Sequence, residues 1–374
     1  MSLNIVVFGL SITSSWGNGH ATTYRALIKA LSRRGHKVVF LERDVPWYRD
    51  NRDLPNPRYC RTELYGSLAD VPIRFGKLVS DADMVIIGSY VPDAIAIADW
   101  ITMNATGVTA FYDIDTPVTL SGLERGDAEY ITASLIPRFD IYLSFAGGPA
   151  LEIIENRYGS PRARPLYCSV DPEFHLPVPC PKKYTLGYLG TYSDDRQPAL
   201  ERLLLEPARR APHHRFAVAG PQYPAEIEWP DNVDLVSHLP PKAHPEFYCS
   251  QEFTLNVTRA AMVASGWSPS VRLFEAAACG VPIISDPWPG LDAFFAVGSE
   301  ILVCERSADI LGILNDTPAE TRAEIAEAAR RKVLAHHTAD VRAAAVETYY
   351  REALRTNIVE VPARRGGVKA GAAG

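Results

Sequence analysis

The sequence lacks paired cysteines. Its six cysteines, Cys60, Cys168, Cys180, Cys249, Cys279 and Cys304, are scattered, and no two have the spacing of a zinc ribbon or a redox CxxC. That excludes a cysteine-built metal site or disulfide scaffold and fits a reducing, cytoplasmic setting. A basic excess is also missing. Against 38 Lys and Arg stand 44 Asp and Glu, for a net charge of −6. This is the wrong sign for a nucleic-acid binder, so no nucleic acid is expected as a partner. Short basic runs such as Arg33-Arg34 and Arg330-Arg331-Lys332 read as solvated helix faces. No apolar run approaches the ~18 residues needed to span a bilayer. No charged n-region leads into an apolar h-region, because the chain enters a strand, NIVVFGL, at once, so no leader is expected.

What is present is an ordinary globular composition over 374 residues, longer than one core usually supports, so two domains are expected. Residues 4–10 form an apolar strand, SITSSWGNGH (11–20) a loop, and the next segment an amphipathic helix. Tyr24, Leu27, Ile28 and Leu31 fall at i, i+3, i+4 and i+7, one face of a helix that Gly35 ends. HKVVFLE is the following strand. A β-loop-α-β opening is the unit of a doubly wound parallel sheet, and DMVIIG, VTAFYD and DIYLSF continue it. The Pro-rich stretch 166–183 has no periodicity and reads as a linker. TLGYLG, RFAVAG, VDLVSHL, FTLNVT and VPIISD then form a second series. A capping box, Thr317-Pro318-Ala319-Glu320, opens a helix to about Leu334, and Thr338 caps a last helix to about Arg355. The domains expected are 1–165, a linker 166–183, 184–337, a final helix 338–355 and a disordered Gly/Ala-rich tail 356–374.

The first loop, Gly17-Asn18-Gly19-His20, invites a dinucleotide-binding reading with Glu42 as the ribose acid. The fingerprint fails at Thr22, where Gly or Ala is needed for helix–strand packing, and the turn from Gly9 is too long. What remains is a loop that brings His20 to a helix N-terminus, where the dipole favours a neutral ring. A neutral His in a cleft serves as a general base; the alternative is a capping or packing role. Asp113 ends a later strand of the same sheet. It either orients His20, making a dyad, or caps the segment before Pro117. Asp115 follows it in the cleft loop.

One stretch, SPSVRLFEAAACGVPIISD (268–286), raises a question of its own. Glu275 sits in the middle of an Ala-rich helix among residues that look buried. GNGHATTYRALIKALSRRGHKVVFLE resembles the opening of GT-B glycosyltransferases, and SVDPEFHLP (169–177) resembles their interdomain connector. YDIDTPVTL (112–120), LNVTR (255–259), the 268–286 stretch and GSEILV (298–303) are similar to the CgeB-type, spore-maturation branch. The resemblance spans about residues 4–355. It implies an α/β GT-B fold: two Rossmann-like domains with parallel sheets facing a cleft, and a C-terminal helix crossing back to the N-terminal domain. It implies that the C-terminal domain binds a nucleotide-diphosphate sugar as co-substrate (UDP, GDP or dTDP type) and the N-terminal domain an unknown acceptor.

On this resemblance Glu275 accepts hydrogen bonds from the donor ribose, since a carboxylate takes two O–H donors at once. The other reading of Glu275 is a weak i, i+3 pair with Arg272. Ser270 and the amides after it form an anion site for the diphosphate. Arg196 and Arg259 are the cationic candidates to neutralise that diphosphate, a surface role being the alternative for each; Gly190-Thr191 would bring backbone close to it, and Arg272 completes the donor set. Related enzymes carry a Glu-x7-Glu pair, but the first position here is Trp267, so the sugar is left undefined. Asp113-Ile114-Asp115 looks like a DxD metal motif, yet the GT-B layout implies no metal and no cofactor. Two rival classes remain: a sugar-nucleotide epimerase on the same fold, and a non-catalytic nucleotide-binding or coat-associated protein.

Overall fold

Two separate parallel sheets, joined by a connector, organise the chain. The structure is a computed structural model that describes residues 2–17 and 19–359. Asn18 and residues 360–374, most of the expected tail, lie outside the described residues. The first sheet comprises β1 (Asn4–Gly9), β2 (Lys37–Arg43), β3 (Arg61–Tyr65), β4 (Met84–Gly88), β5 (Val108–Asp113), β6 (Ile141–Ser144) and β7 (Ala163–Pro165). Its order is β3-β2-β1-β4-β5-β6-β7, and the pairings are parallel throughout. The second comprises β8 (Tyr184–Leu189), β9 (Phe216–Ala219), β10 (Val233–Val236), β11 (Gln251–Asn256), β12 (Ile283–Ser285) and β13 (Leu302–Val303), in the order β10-β9-β8-β11-β12-β13. This is the two-sheet architecture implied by the resemblance.

Both faces of each sheet are covered, which is why its central strands read as unbroken apolar runs. In β1, Val6 and Phe8 enter one core, and Ile5 and Val7 the other. β4 does the same with Val85 and Ile87 against Met84 and Ile86. The His20–Arg33 helix buries Tyr24, Leu27, Ile28 and Leu31 on the second of these faces. Each such side chain contributes roughly 1.5–3 kcal/mol.

The last helix, Ala339–Val359, packs across the same core. Its buried residues Ala339, Ala343, Val346, Tyr350 and Ala353 are spaced alternately by four and three, one stripe of a helix. Glu347 then pairs with Arg34 at 2.7 Å and His36 at 2.9 Å. The last described helix thus returns to the domain that the first residues build. Thr338 Oγ1 accepts the Val341 N–H, as a cap should. The expected capping box at 317–320 is not made. The Thr317 N–H stays with Ile313 O of the preceding helix, and Pro318 becomes the cap residue of the Ala319–His336 helix.

Candidate functional site at the interdomain cleft

In a doubly wound sheet a crevice opens where neighbouring strands lead their connections in opposite directions. For the first sheet that point lies between β1 and β4, and for the second between β8 and β11. The sequence-derived candidates gather at these two points.

On the first side, the loop after β1 is built around Glu42. This carboxylate is completely buried. It accepts the Ile12 N–H at 2.7 Å, the Thr13 N–H at 3.0 Å and the Thr13 hydroxyl at 2.6 Å. Glu42 therefore shapes the loop and, being completely buried, is out of reach of a ribose. Arg25 ties the helix to the loop through Asp53 and Ile12 O. Gly17 has φ +61°, a left-handed bend that suits glycine, and Gly19 immediately precedes the helix. His20 is the first helical residue, with its ring edge-on to Tyr90 at 5.4 Å. Burial pushes its pKa down to about 4, so desolvation adds to what the helix position alone suggests.

Asp113, fully buried at the end of β5, receives Tyr142 Oη at 2.5 Å, Thr119 Oγ1 at 2.7 Å and the Asp115 N–H at 3.3 Å. Burial raises its pKa to about 6, although these hydrogen bonds oppose the rise. Of the two readings of Asp113, a partner to His20 or a cap before Pro117, the geometry favours the second: the carboxylate is turned into the core and takes the Asp115 N–H. Asp115 faces the cleft instead. It accepts Tyr90 Oη at 3.0 Å and lies 3.6 Å from Arg259 of the other domain.

On the second side, Arg272 stands at the crevice between β8 and β11. It donates from Nε to Leu189 O and from Nη1 to Asn256 Oδ1 at 2.9 Å, and its guanidinium lies over the Tyr188 ring at 4.6 Å. Arg272 thus braces the floor of the site rather than pairing with Glu275. Ser270 gives its hydroxyl to Asn256 Oδ1 at 2.8 Å, and no side chain caps the Val271–Ala278 helix. At Gly190 a Cβ would lie 2.6 Å from Tyr188 Oη and 2.7 Å from Arg272 Nη2, so only glycine fits. Thr191 is exposed and its carbonyl accepts Arg196 Nη2 at 2.7 Å. The Arg196 pKa is pushed below its usual value, by burial first and also by Arg272 and Arg259. Three guanidiniums close enough to perturb one another make an anion-seeking surface. Arg259 spans the cleft, 3.6 Å from Asp115 and 3.6 Å from Asp195.

Glu275 is only 5% exposed. Its Oε2 accepts Tyr248 Oη at 2.9 Å and lies 4.0 Å from His244 Nδ1, and its Oε1 lies 3.4 Å from His175 Nε2. Burial alone would raise its pKa. His175, His244, Tyr248 and Arg272 together outweigh burial and hold it below the usual carboxylate value. Among the described residues this is the one His/Cys/Asp/Glu group whose ligating atoms, from His175, His244 and Glu275, lie within 4.8 Å of one another. Asp113 and Asp115 form no such group with a third ligand. No sequence pattern marked His175, which sits in the aperiodic connector, or His244. Only the placement of a carboxylate in an Ala-rich helix marked the spot.

Trp267 closes the cleft from the second domain. Its backbone is left-handed, with φ +44°. Its carbonyl accepts the Gly147 N–H of the first domain at 2.9 Å, and its N–H donates to Pro289 O at 2.7 Å. Its ring lies against Gly148 and Gly290, where an added Cβ would come within 2.6 and 2.5 Å of it.

Comparison with known proteins agrees with this geometry. The profile of a family described as glycosyl transferase-like matches residues 196–348. No curated protein matches the sequence. Among solved structures, Anabaena HepE in complex with UDP and glucose superposes with a TM-score of 0.69 at 12% identity, over 94% of this chain and 100% of that one. Sucrose-phosphate synthase from Thermosynechococcus elongatus gives 0.66 at 14% identity, again over 94% and 100%. An alpha-glucosyltransferase in complex with UDP and a 13-mer DNA gives 0.68 at 13% identity, with the same coverage of each chain. The chain therefore has the two-sheet fold of these glycosyltransferase structures, and residues 196–348 are similar to a glycosyl transferase-like family.

Proposed function

We propose that the protein moves a sugar from a nucleoside-diphosphate sugar, of UDP type, to an acceptor hydroxyl, without a metal, and that it is a CgeB-type GT-B glycosyltransferase working in the cytoplasm. The observation that carries this reading is the pairing of Glu275 with the Arg196–Arg259–Arg272 cluster at one crevice. A carboxylate kept ionised in a buried pocket suits ribose hydroxyls, and the guanidiniums beside it suit a diphosphate. The HepE and alpha-glucosyltransferase structures, both solved with UDP, support a uridine donor. Ser270 leaves the amides of its helix without a side-chain cap, and Gly190-Thr191 let backbone approach the phosphates. The first domain takes the acceptor: His20 is its base, and Gly17, Gly19 and Asp115 border it. Asn18 belongs to that loop by sequence.

Metal independence is supported by Asp113, whose carboxylate is committed to Tyr142 and Thr119. Among the described residues no helix is long and apolar enough to cross a membrane. The test is turnover of UDP-glucose, GDP-mannose, ADP-glucose and dTDP-glucose with a panel of acceptors. The panel includes duplex DNA, because one structural neighbour is seen with DNA. Release of a nucleoside diphosphate that depends on an acceptor supports the reading. Isomerisation of a donor without any acceptor contradicts it.

A further inference from the structure

The connector between the two sheets does more than join them. It inserts a histidine beside Glu275. Residues Val170 to His175 form a fixed turn, in which Asp171 O accepts the Phe174 N–H at 3.0 Å and the His175 N–H at 2.8 Å. The Asp171 carboxylate takes the Glu173 N–H at 3.0 Å and Lys29 Nζ at 2.6 Å, and Glu173 pairs with Lys29 and Arg33. The turn is therefore anchored to the helix that begins at His20. Its far end places the His175 ring in the second domain, 2% exposed and edge-on to Phe174 at 4.8 Å. Among the described residues neither ring nitrogen has a hydrogen-bond partner, and yet Nε2 lies 3.4 Å from Glu275 Oε1. A buried imidazole without partners is costly unless some state of the protein uses it. Burial lowers the His175 pKa, so the ring is neutral and offers a single N–H.

We propose that His175 is a positioning residue for Glu275: its Nε2–H aims Oε1 at the hydroxyls of the donor ribose. This rests on the reading of Glu275 as the ribose acceptor. Tyr248 fixes Oε2, and with only that anchor the carboxylate can still turn about its terminal bond. A second donor on Oε1 stops that rotation. The 3.4 Å approach shortens to about 2.8–3.0 Å once ribose hydroxyls pull the carboxylate into register. The linker thereby supplies a side chain to the donor site while remaining tied to the acceptor-side helix.

The experiment is calorimetric titration, in EDTA, of UDP, GDP and ADP and their 2′,3′-dideoxy forms into the full-length protein, His175→Phe and His175→Gln. For the diphosphate that binds wild type, the ribose form binds at least about tenfold tighter than the dideoxy form, the scale of a hydrogen bond to a charged group. His175→Phe loses about tenfold for the ribose form and less than about twofold for the dideoxy form. His175→Gln, which keeps an N–H, recovers most of the loss. If the Phe variant does not fold, His175→Met replaces it. Equal losses for both ligands, in a protein whose wild type prefers ribose, overturn the positioning role and leave His175 structural. A wild type with no ribose preference, or with no diphosphate binding, overturns the Glu275 reading itself. Binding restored only by added zinc also overturns the proposal, because His175 and Glu275 would then be metal ligands.

Discussion

Burial sets the protonation of His20. With a pKa pushed down to about 4, the ring is already neutral across physiological pH, the form that the proposed base requires. The acid limb of kcat/KM assigned to His20 therefore lies below pH 5; a limb near the ordinary histidine value of about 6.5 contradicts this. His20→Ala lowers kcat by at least about a hundredfold with a saturating acceptor, while UDP affinity stays within about twofold, since the nucleotide site proposed above lies in the other domain. NMR of the product's anomeric configuration accompanies that measurement, and retention of configuration removes the need for the base. Sequence alone singled out Glu275 because it breaks the apolar run of its helix, and His20 because its loop ends at a helix N-terminus. It could not separate Asp113 from Asp115. Which of two acids at a strand end turns toward the core depends on Tyr142 and Thr119, and these are brought there only by tertiary packing. His175 and His244 were equally invisible, because aperiodic loops carry no directional signal.

At the scale of elements, the long strands and amphipathic helices were legible, and the short pieces were not. The edge strands β3 and β7 and the two-residue β13 are too brief for a period to register, and neighbours define them. The loop around Trp267 is another product of packing. Its left-handed backbone and its ring wedged against Gly148 and Gly290 follow from contacts made by three separate segments. Gly290→Ala places a Cβ 2.5 Å from that ring at φ +85°, and should destabilise by roughly 2–4 kcal/mol from backbone strain and overpacking together. Gly298 has φ +88° with nothing within 4 Å, so Gly298→Ala should cost only about 1–2 kcal/mol. Urea unfolding of the two variants checks this, and equal losses contradict it.

The end of the Ala319–His336 helix gives a pH prediction. His337 stacks on Phe274 at 4.4 Å and accepts from Arg342. Burial first, and then Arg342, His336 and Lys332, lower its pKa to about 3. Between the unfolded value of 6.5 and about 3 only the unfolded chain binds this proton, so stability is full above 6.5 and is lost as pH falls through that window. The melting temperature should fall from pH 6.5 to 4.5, and His337→Gln should flatten that fall.

Over the whole molecule, two crevices face each other, with Arg259 reaching from one toward Asp115 at the other. That ion pair is partly exposed and contributes little stability by itself. On the proposed donor placement, a diphosphate at Arg259 would compete with Asp115 for it, so donor binding would alter the contact between domains. The two-sheet organisation was legible from the alternation of strands and helices and from the connector. The cleft was not, because residues from both domains and the linker build it. Turnover should persist in excess EDTA, since the cleft acids are engaged by protein donors; abolition by EDTA and rescue by manganese would mean that Asp113 and Asp115 hold a metal after all.

The central claim is that Glu275 holds the ribose of a nucleotide donor. Calorimetric titration of UDP into wild type and Glu275→Gln, in EDTA, tests it most directly. Glutamine keeps the shape of the buried side chain but can accept through one oxygen only. Binding to Glu275→Gln is expected to be weaker by roughly 1.5–3 kcal/mol, about ten- to a hundredfold, in a variant that stays folded. Unchanged UDP affinity in the folded variant contradicts it.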